Sequence, residues 1–154
     1  MFADMVVSKP VVHKACRDYL EKKIEALQAE LDAVRESAIA ETKSSMGDKY
    51  ETGREMMMQE RNRLGKQLDL LTDQRATLDA IDPEKKCSAI KHGCMVITDK
   101  SIFFLGAALG QLNVNGTMIF AISGNAPICK AMEGKKKGDS FTFNGAKHTI
   151  VRVE

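Results

Sequence analysis

The sequence has no tryptophan, two tyrosines, three prolines and four cysteines in 154 residues, and it has no long apolar run. Each shortage excludes something. No stretch approaches the roughly 18 uncharged apolar residues that a membrane helix needs, so no membrane partner is expected. The apolar start at residues 2–7 is too short, with too little basic charge before it, for a secretory signal, and a cytoplasmic protein is expected. The cysteines, Cys16, Cys87, Cys94 and Cys129, contain no Cys-x-x-Cys pair, so reduced intracellular thiols are the expectation. One alternative stays open: a helical hairpin would return Cys87 to the level of His13 and Cys16, and these with His92 or Cys94 could form a tetrahedral zinc site. With 5% aromatic residues there are few ring faces on which successive RNA bases could stack, which argues against autonomous RNA binding.

What is present is unevenly distributed. Lys and Arg number 23 against 21 Asp and Glu, a formal net charge of +2. Residues 1–83 carry 13 basic and 16 acidic side chains, net −3, whereas residues 84–154 carry 10 and 5, net +5. Eight of the 11 glycines and five of the six phenylalanines follow Pro83, while long unbranched and charged side chains fill the part before it. The composition therefore predicts an α+β protein: a helical domain at 1–83 and a turn-rich β domain at 84–154, divided near Pro83, which biases its predecessor toward extended geometry.

In the first part, Leu20, Ile24, Leu27, Leu31, Val34 and Ala38 recur in steps of four and three, the apolar seam of a heptad pattern. Ser8 suits an N-cap and Pro10 a first turn. The pattern stops at Lys43, Ser44, Ser45, Met46 and Gly47 and resumes at Met57, Leu64, Leu68, Leu71 and Leu78. Two antiparallel helices of roughly 30 to 35 residues follow, each about 45 to 50 Å long, joined by a tip near 44–52. Arg61 and Arg75 occupy seam positions, where pairing with a facing carboxylate such as Glu36 is expected. Met56, Met57 and Met58 are read as seam and flank packing. Gly65 inside the second helix costs about 1 kcal/mol relative to Ala.

In the second part, apolar runs at 94–98 and 102–105 flank Asp99-Lys100-Ser101, and the run at 112–122 is broken by Asn115-Gly116. A second Asn-Gly pair, Asn144-Gly145, divides 141–143 from 148–153. Asn-Gly supplies the positive φ angles of a type I′ turn, so each pair predicts a hairpin. Pro127 at a permitted helix start and Gly134 just past an end predict one short helix between the hairpins, against a twisted antiparallel sheet.

At the tip stand Gly47-Asp48-Lys49-Tyr50-Glu51. Carboxylates at i and i+3 share one side of a helix and are favoured near its N-terminus. Two such groups can share a hard divalent cation, and Mg²⁺ in particular is often held by one or two carboxylates with water and phosphate. Lys43, Lys49, Arg54, Arg61 and Arg63 flank the pair and could contact RNA phosphates, although Glu41, Glu55 and Glu60 offset their charge. Lys135-Lys136-Lys137 is the densest basic run, in a glycine-bounded turn.

The chain resembles the Gre family of bacterial transcription elongation factors, on two motifs. The first is Gly-Asp-x-x-Glu at a hairpin tip, here Gly47, Asp48 and Glu51. The second is a C-terminal pattern present as Pro127, Ile128, Ala131, Met132, Gly134, Lys135, Gly138 and Asp139. The resemblance covers both halves in order. It departs at Tyr50 and Thr52, where Ser and Asn are common, at Arg54 and Glu55, which replace an acidic and an aromatic residue, and at Cys129, where Gly is usual.

The resemblance implies an FKBP-like C-terminal domain that docks on RNA polymerase through Pro127, Ile128 and Lys135. It further implies a hairpin that enters the secondary channel as a monomer. There Asp48 and Glu51 would share Mg²⁺ with the polymerase, which cleaves backtracked RNA by two-metal hydrolysis. The protein would then be no enzyme itself, and would meet RNA only inside the polymerase complex. A channel-binding regulator without cleavage activity, and a coiled-coil adaptor, are the other readings left open. A prolyl isomerase is disfavoured by the lack of a tryptophan to floor a proline pocket.

Overall fold

The computed structural model describes residues 7–43 and 47–154, with side chains described outside 41–51. The seam residues form two long helices, α1 (Lys9–Lys43) and α2 (Gly47–Asp79), of 35 and 33 residues. Contacts divide the chain into two units, one comprising Tyr19–Asp73 and the other Met1–Asp18 with Gln74–Glu154.

Within Tyr19–Asp73 the helices pack antiparallel. Leu27 and Leu31 of α1 are buried with Leu64 of α2, and Val34, Leu68 and Leu71 pack around them. The same order is kept along the pair: Leu27 neighbours Leu71 at one groove, and Val34 neighbours Met57 and Arg61 at another. An apolar residue every three or four positions is enough to close this seam, because side chains so spaced lie above one another on one helix face. Nothing lies within 4 Å of the place a Cβ would take at Gly65. Gly65→Ala is therefore expected to gain the helix-propensity difference without a clash, about 0.5–1 kcal/mol in urea unfolding.

The second unit is built on a six-stranded sheet in the order β3-β4-β2-β1-β6-β5. Its strands are β1 (Met95–Thr98), β2 (Ile102–Gly106), β3 (Gly110–Val114), β4 (Thr117–Ser123), β5 (Ser140–Phe143) and β6 (Ala146–Val153). Both Asn-Gly pairs make the turns expected of them, with φ of 53° and 85° at Asn115-Gly116 and 51° and 78° at Asn144-Gly145. The short helix α3 (Pro127–Met132) starts on Pro127 and stops before Gly134, whose φ is 80°. Its Cys129 and Met132 are buried with Ile90, Val96, Phe103, Leu105, Phe141 and Ile150.

The sheet is mostly antiparallel, as expected, with β2 and β4 pairing in parallel from Phe103↔Phe120 to Gly106↔Ser123. The chain leaves β2, lays down β3 one place beyond, and turns back through Asn115-Gly116 so that β4 fills the gap. Two reversals of direction leave β4 running with β2. The start of α1 and the end of α2 belong to the sheet-containing unit. Val12, Cys16, Leu78 and Ile81 are buried there. His13 Nε2 lies 2.7 Å from the Leu78 carbonyl oxygen, and its ring meets Phe104 edge-on with centroids 6.3 Å apart. Arg17 and Asp79 form an exposed ion pair. A Cβ at Gly106 would come within 2.9 Å of Ile81 Cδ1, so a larger residue in β2 would require the Ile81 side chain, just past the end of α2, to shift.

Candidate functional site

The backbone of α2 opens at Gly47, so Asp48 and Glu51 lie in its first turn and at the start of its second. An acidic residue there faces the unpaired N–H groups and the positive end of the helix dipole. The side chains of Lys43, Asp48, Lys49 and Glu51 lie outside the described residues. The residue types Asp48 and Glu51 nonetheless suit Mg²⁺: carboxylate oxygens are hard ligands, and two carboxylates leave most of an octahedral shell to water, phosphate or another protein.

One turn further along, a groove of about 420 Å³ runs between the helices, lined by Val34, Arg35, Ala38, Ile39, Arg54, Met57, Met58 and Arg61. It carries three guanidinium groups around an apolar floor. Arg61 does not pair with Glu36 as the seam reading expected. It is exposed and lines the groove with Val34 and Arg35, and among the described residues it forms no ion pair. Arg35 lies 3.8 Å from Asp32 on its own helix. Arg63 is committed to Glu60, with Nε donating to Oε2 at 3.0 Å, and this hydrogen bond holds the Glu60 carboxyl below its usual range. Of the three methionines only Met57 turns into the seam, while Met56 and Met58 are 64% and 48% exposed.

The C-terminal motif has a local structural role at nearly every position. Pro127 is exposed at the start of α3, Ile128 packs against the sheet core, and Met132 is fully buried. Gly134 and Gly138 take positive φ. Asp139 accepts from the Lys136 N–H at 2.9 Å, closing the turn that carries Lys135, Lys136 and Lys137. The Lys135 carbonyl accepts from the Ile90 N–H at 2.9 Å. Of the three expected docking residues, Pro127 is exposed, Lys135 half-buried and Ile128 largely taken up by packing.

No protein-family model matches the chain, and no curated protein does. Among solved structures it is similar to the crystal structure of GreA factor homolog 1 (Gfh1) of Thermus thermophilus, at 18% identity and a TM-score of 0.38, over 92% of this chain and 96% of that one. A second structure, of the transcription factor Gfh1, matches at 20% identity and a TM-score of 0.38, over 91% and 94%. Likeness at that score decides nothing about function.

The cysteines differ from expectation. Cys87 and Cys94 are joined in a disulfide with Cα atoms 6.0 Å apart, not the reduced thiols expected, and in this oxidised form they offer no thiolate to zinc. Cys16 is buried, which pushes its thiol up to about 12, and His13 is engaged by the Leu78 carbonyl. Among the described residues no group of three or more His, Cys, Asp and Glu is placed to hold a metal. Burial raises Cys129 as well, with Glu133 adding to the effect. A thiol attacks as its thiolate, so neither Cys16 nor Cys129 is expected to take up iodoacetamide in the native protein. Intact mass should show no adduct before denaturation and two after it.

Proposed function

We propose that the chain is a transcription factor that binds RNA polymerase and presents Asp48 and Glu51 to the polymerase active site. The observation that carries this reading is the placement of the Gly47-Asp48-x-x-Glu51 motif at the opening of the second helix of an antiparallel pair, on a chain that also holds the C-terminal motif on α3 and the turn after it. Bound Mg²⁺ would supply charge neutralisation and an activated water for hydrolysis of backtracked RNA. The part of this chain is to supply two carboxylates and the surface that delivers them. The arginine groove beside the pair supplies positive charge suited to phosphate, by charge rather than by base recognition.

A second reading is favoured by a specific observation: Arg54, one helical turn beyond Glu51, lines that groove with Arg35 and Arg61. Cationic charge so close to the pair competes with a metal for its carboxylates. In this reading the protein occupies the channel and inhibits without promoting cleavage.

The experiment uses stalled, backtracked elongation complexes, Mg²⁺, and either the native protein or the Asp48→Asn, Glu51→Gln double variant. Cleavage of the RNA 3′ end by the native protein alone supports the first reading. Inhibition without cleavage supports the second, and failure to bind polymerase removes both.

A further inference from the structure

A cavity of about 370 Å³ opens on Cys87 within the sheet-containing unit, between the start of α1, the segment that follows α2, and the end of β6. Lys9, Lys85, Lys86 and Arg152 line it, against Glu84 and Glu154. Lys9 is only 4% exposed. Its Nζ donates to the Lys85 carbonyl oxygen at 2.8 Å and stands 3.9 Å from Cys87 Sγ. No carboxylate lies within ion-pair distance of it among the described residues. Arg152 Nε is 3.4 Å from Glu154 Oε1 without hydrogen-bond geometry. Arg152 Nε and Nη2 and Glu154 Oε2 are shielded from solvent and have no hydrogen-bond partner among the described residues. Arg152 and Glu154 thus offset one another, and the surplus of positive charge at the cavity comes from Lys9, Lys85 and Lys86 against Glu84. A cavity with more cations than anions, opening on a disulfide sulfur, has the chemistry to receive an anion that carries sulfur.

We propose that Cys87–Cys94 is an exchangeable redox site whose cavity receives an anionic low-molecular-weight thiol of the glutathione class. Cys87 lines the cavity, while Cys94 is fully buried, so Cys87 Sγ is the sulfur attacked. The incoming thiolate forms a bond to Cys87 Sγ as the Cys87–Cys94 bond breaks. Cys94 leaves as a thiolate and takes up the proton that the incoming thiol released. Its Sγ lies 3.7 Å from the Ala89 carbonyl oxygen, which can accept from the new thiol. A second small thiolate attacks the small molecule's own sulfur in the mixed disulfide and releases Cys87 as a thiolate beside the Lys9 ammonium. Two small thiols are thereby oxidised to one disulfide and the protein disulfide is reduced by two electrons. The small-molecule disulfide is the oxidant in the reverse direction.

The bond closes the segment that contains Ile90, whose N–H and C=O pair with the Lys135 carbonyl and the Gly134 N–H, each at 2.9 Å. Its redox state therefore bears on the turn that presents Lys135.

The test incubates the full chain in glutathione redox buffers, traps free thiols with a maleimide and reads intact mass. The oxidised and two-thiol forms are expected to interconvert reversibly. Per thiolate, glutathione should open the disulfide about tenfold or more faster than the cationic thiol cysteamine, a modest steering effect for a cation-lined cleft. This preference should fall to within about twofold in Lys86→Gln, Arg152→Gln, which alters partly exposed side chains. In Cys94→Ala, oxidised glutathione should add one glutathionyl group at Cys87. Equal rates for the two thiols on the native protein would overturn the proposal, and that comparison needs no variant to fold. So would a disulfide that does not respond to the buffers, or the absence of an adduct on Cys94→Ala.

Discussion

Replacing Asp48 by Asn and Glu51 by Gln together is expected to slow cleavage of backtracked RNA by about two orders of magnitude or more, with polymerase binding changed by no more than about twofold. The amides keep the size of the side chains and remove both negative charges. A metal ion in a hydrolytic site contributes several kcal/mol of charge stabilisation, and each 1.36 kcal/mol is tenfold in rate, so losing even about 3 kcal/mol of that contribution gives the expected factor. The cost to folding is far smaller. A carboxylate in the first turn of a helix is worth about 0.3–1 kcal/mol at an exposed position, and amides retain part of the interaction with unpaired N–H groups. Gel assays of 3′-end cleavage and a binding assay with the same polymerase separate the two effects. Equal cleavage by native and double variant would remove the role given to the pair. Restoration of cleavage by Arg54→Gln in an otherwise inhibitory protein would show that the neighbouring charge sets the outcome.

Much of the architecture was legible wherever local chemistry decides it. Asn115-Gly116 and Asn144-Gly145 specify their hairpins because both central positions need positive φ, and that requirement is written in two adjacent residues. The seam from Leu20 to Ala38 is likewise a local statement about one helix face. The parallel pairing of β2 and β4 is not local: it depends on β3 passing beyond the strand that has yet to be laid down, and no residue in either strand encodes that order. Val12, Cys16, Leu78 and Ile81 continue the apolar periodicity of the helical part of the sequence, yet they are buried in the sheet-containing unit. Periodicity reports that a helix face is apolar but not what covers it.

The candidate site was legible to the same degree. The spacing of Asp48 and Glu51 identifies a carboxylate pair at the start of a helix, whereas the groove of Arg35, Arg54 and Arg61 needs both helices in register to exist. The cysteine spacing, with six residues between Cys87 and Cys94, matched no metal motif, and only the turn through Gly93 (φ 93°) in the intervening segment reveals how the two sulfurs meet. Lys9 and Arg152 stand at opposite ends of the sequence, and nothing in their neighbours announces a shared cavity.

Leu64→Ala is expected to destabilise the helical unit by about 2–5 kcal/mol, the range for truncating a buried leucine. The unit Tyr19–Asp73 has a narrow core in which Leu64 is 1% exposed and meets Leu27 and Leu31, so no second layer of side chains can relax into the space it leaves. A loss of this size is a large share of the roughly 5–15 kcal/mol that stabilises an ordinary domain. Leu70→Ala, nearly two turns further along α2 at an exposed position, removes the same atoms from a side chain already 60% accessible and should cost under about 0.5 kcal/mol. The sheet-containing unit has its own core around Phe103, Leu105, Met132 and Ile150 and does not depend on Leu64. Hydrogen exchange read by mass spectrometry should therefore show amides of residues 20–73 losing protection in Leu64→Ala, with β2 and β4 exchanging as in the native protein. Simultaneous loss of protection in β2 would mean that the two units unfold as one, and the narrow seam would then be stabilised by the sheet rather than by its own leucines.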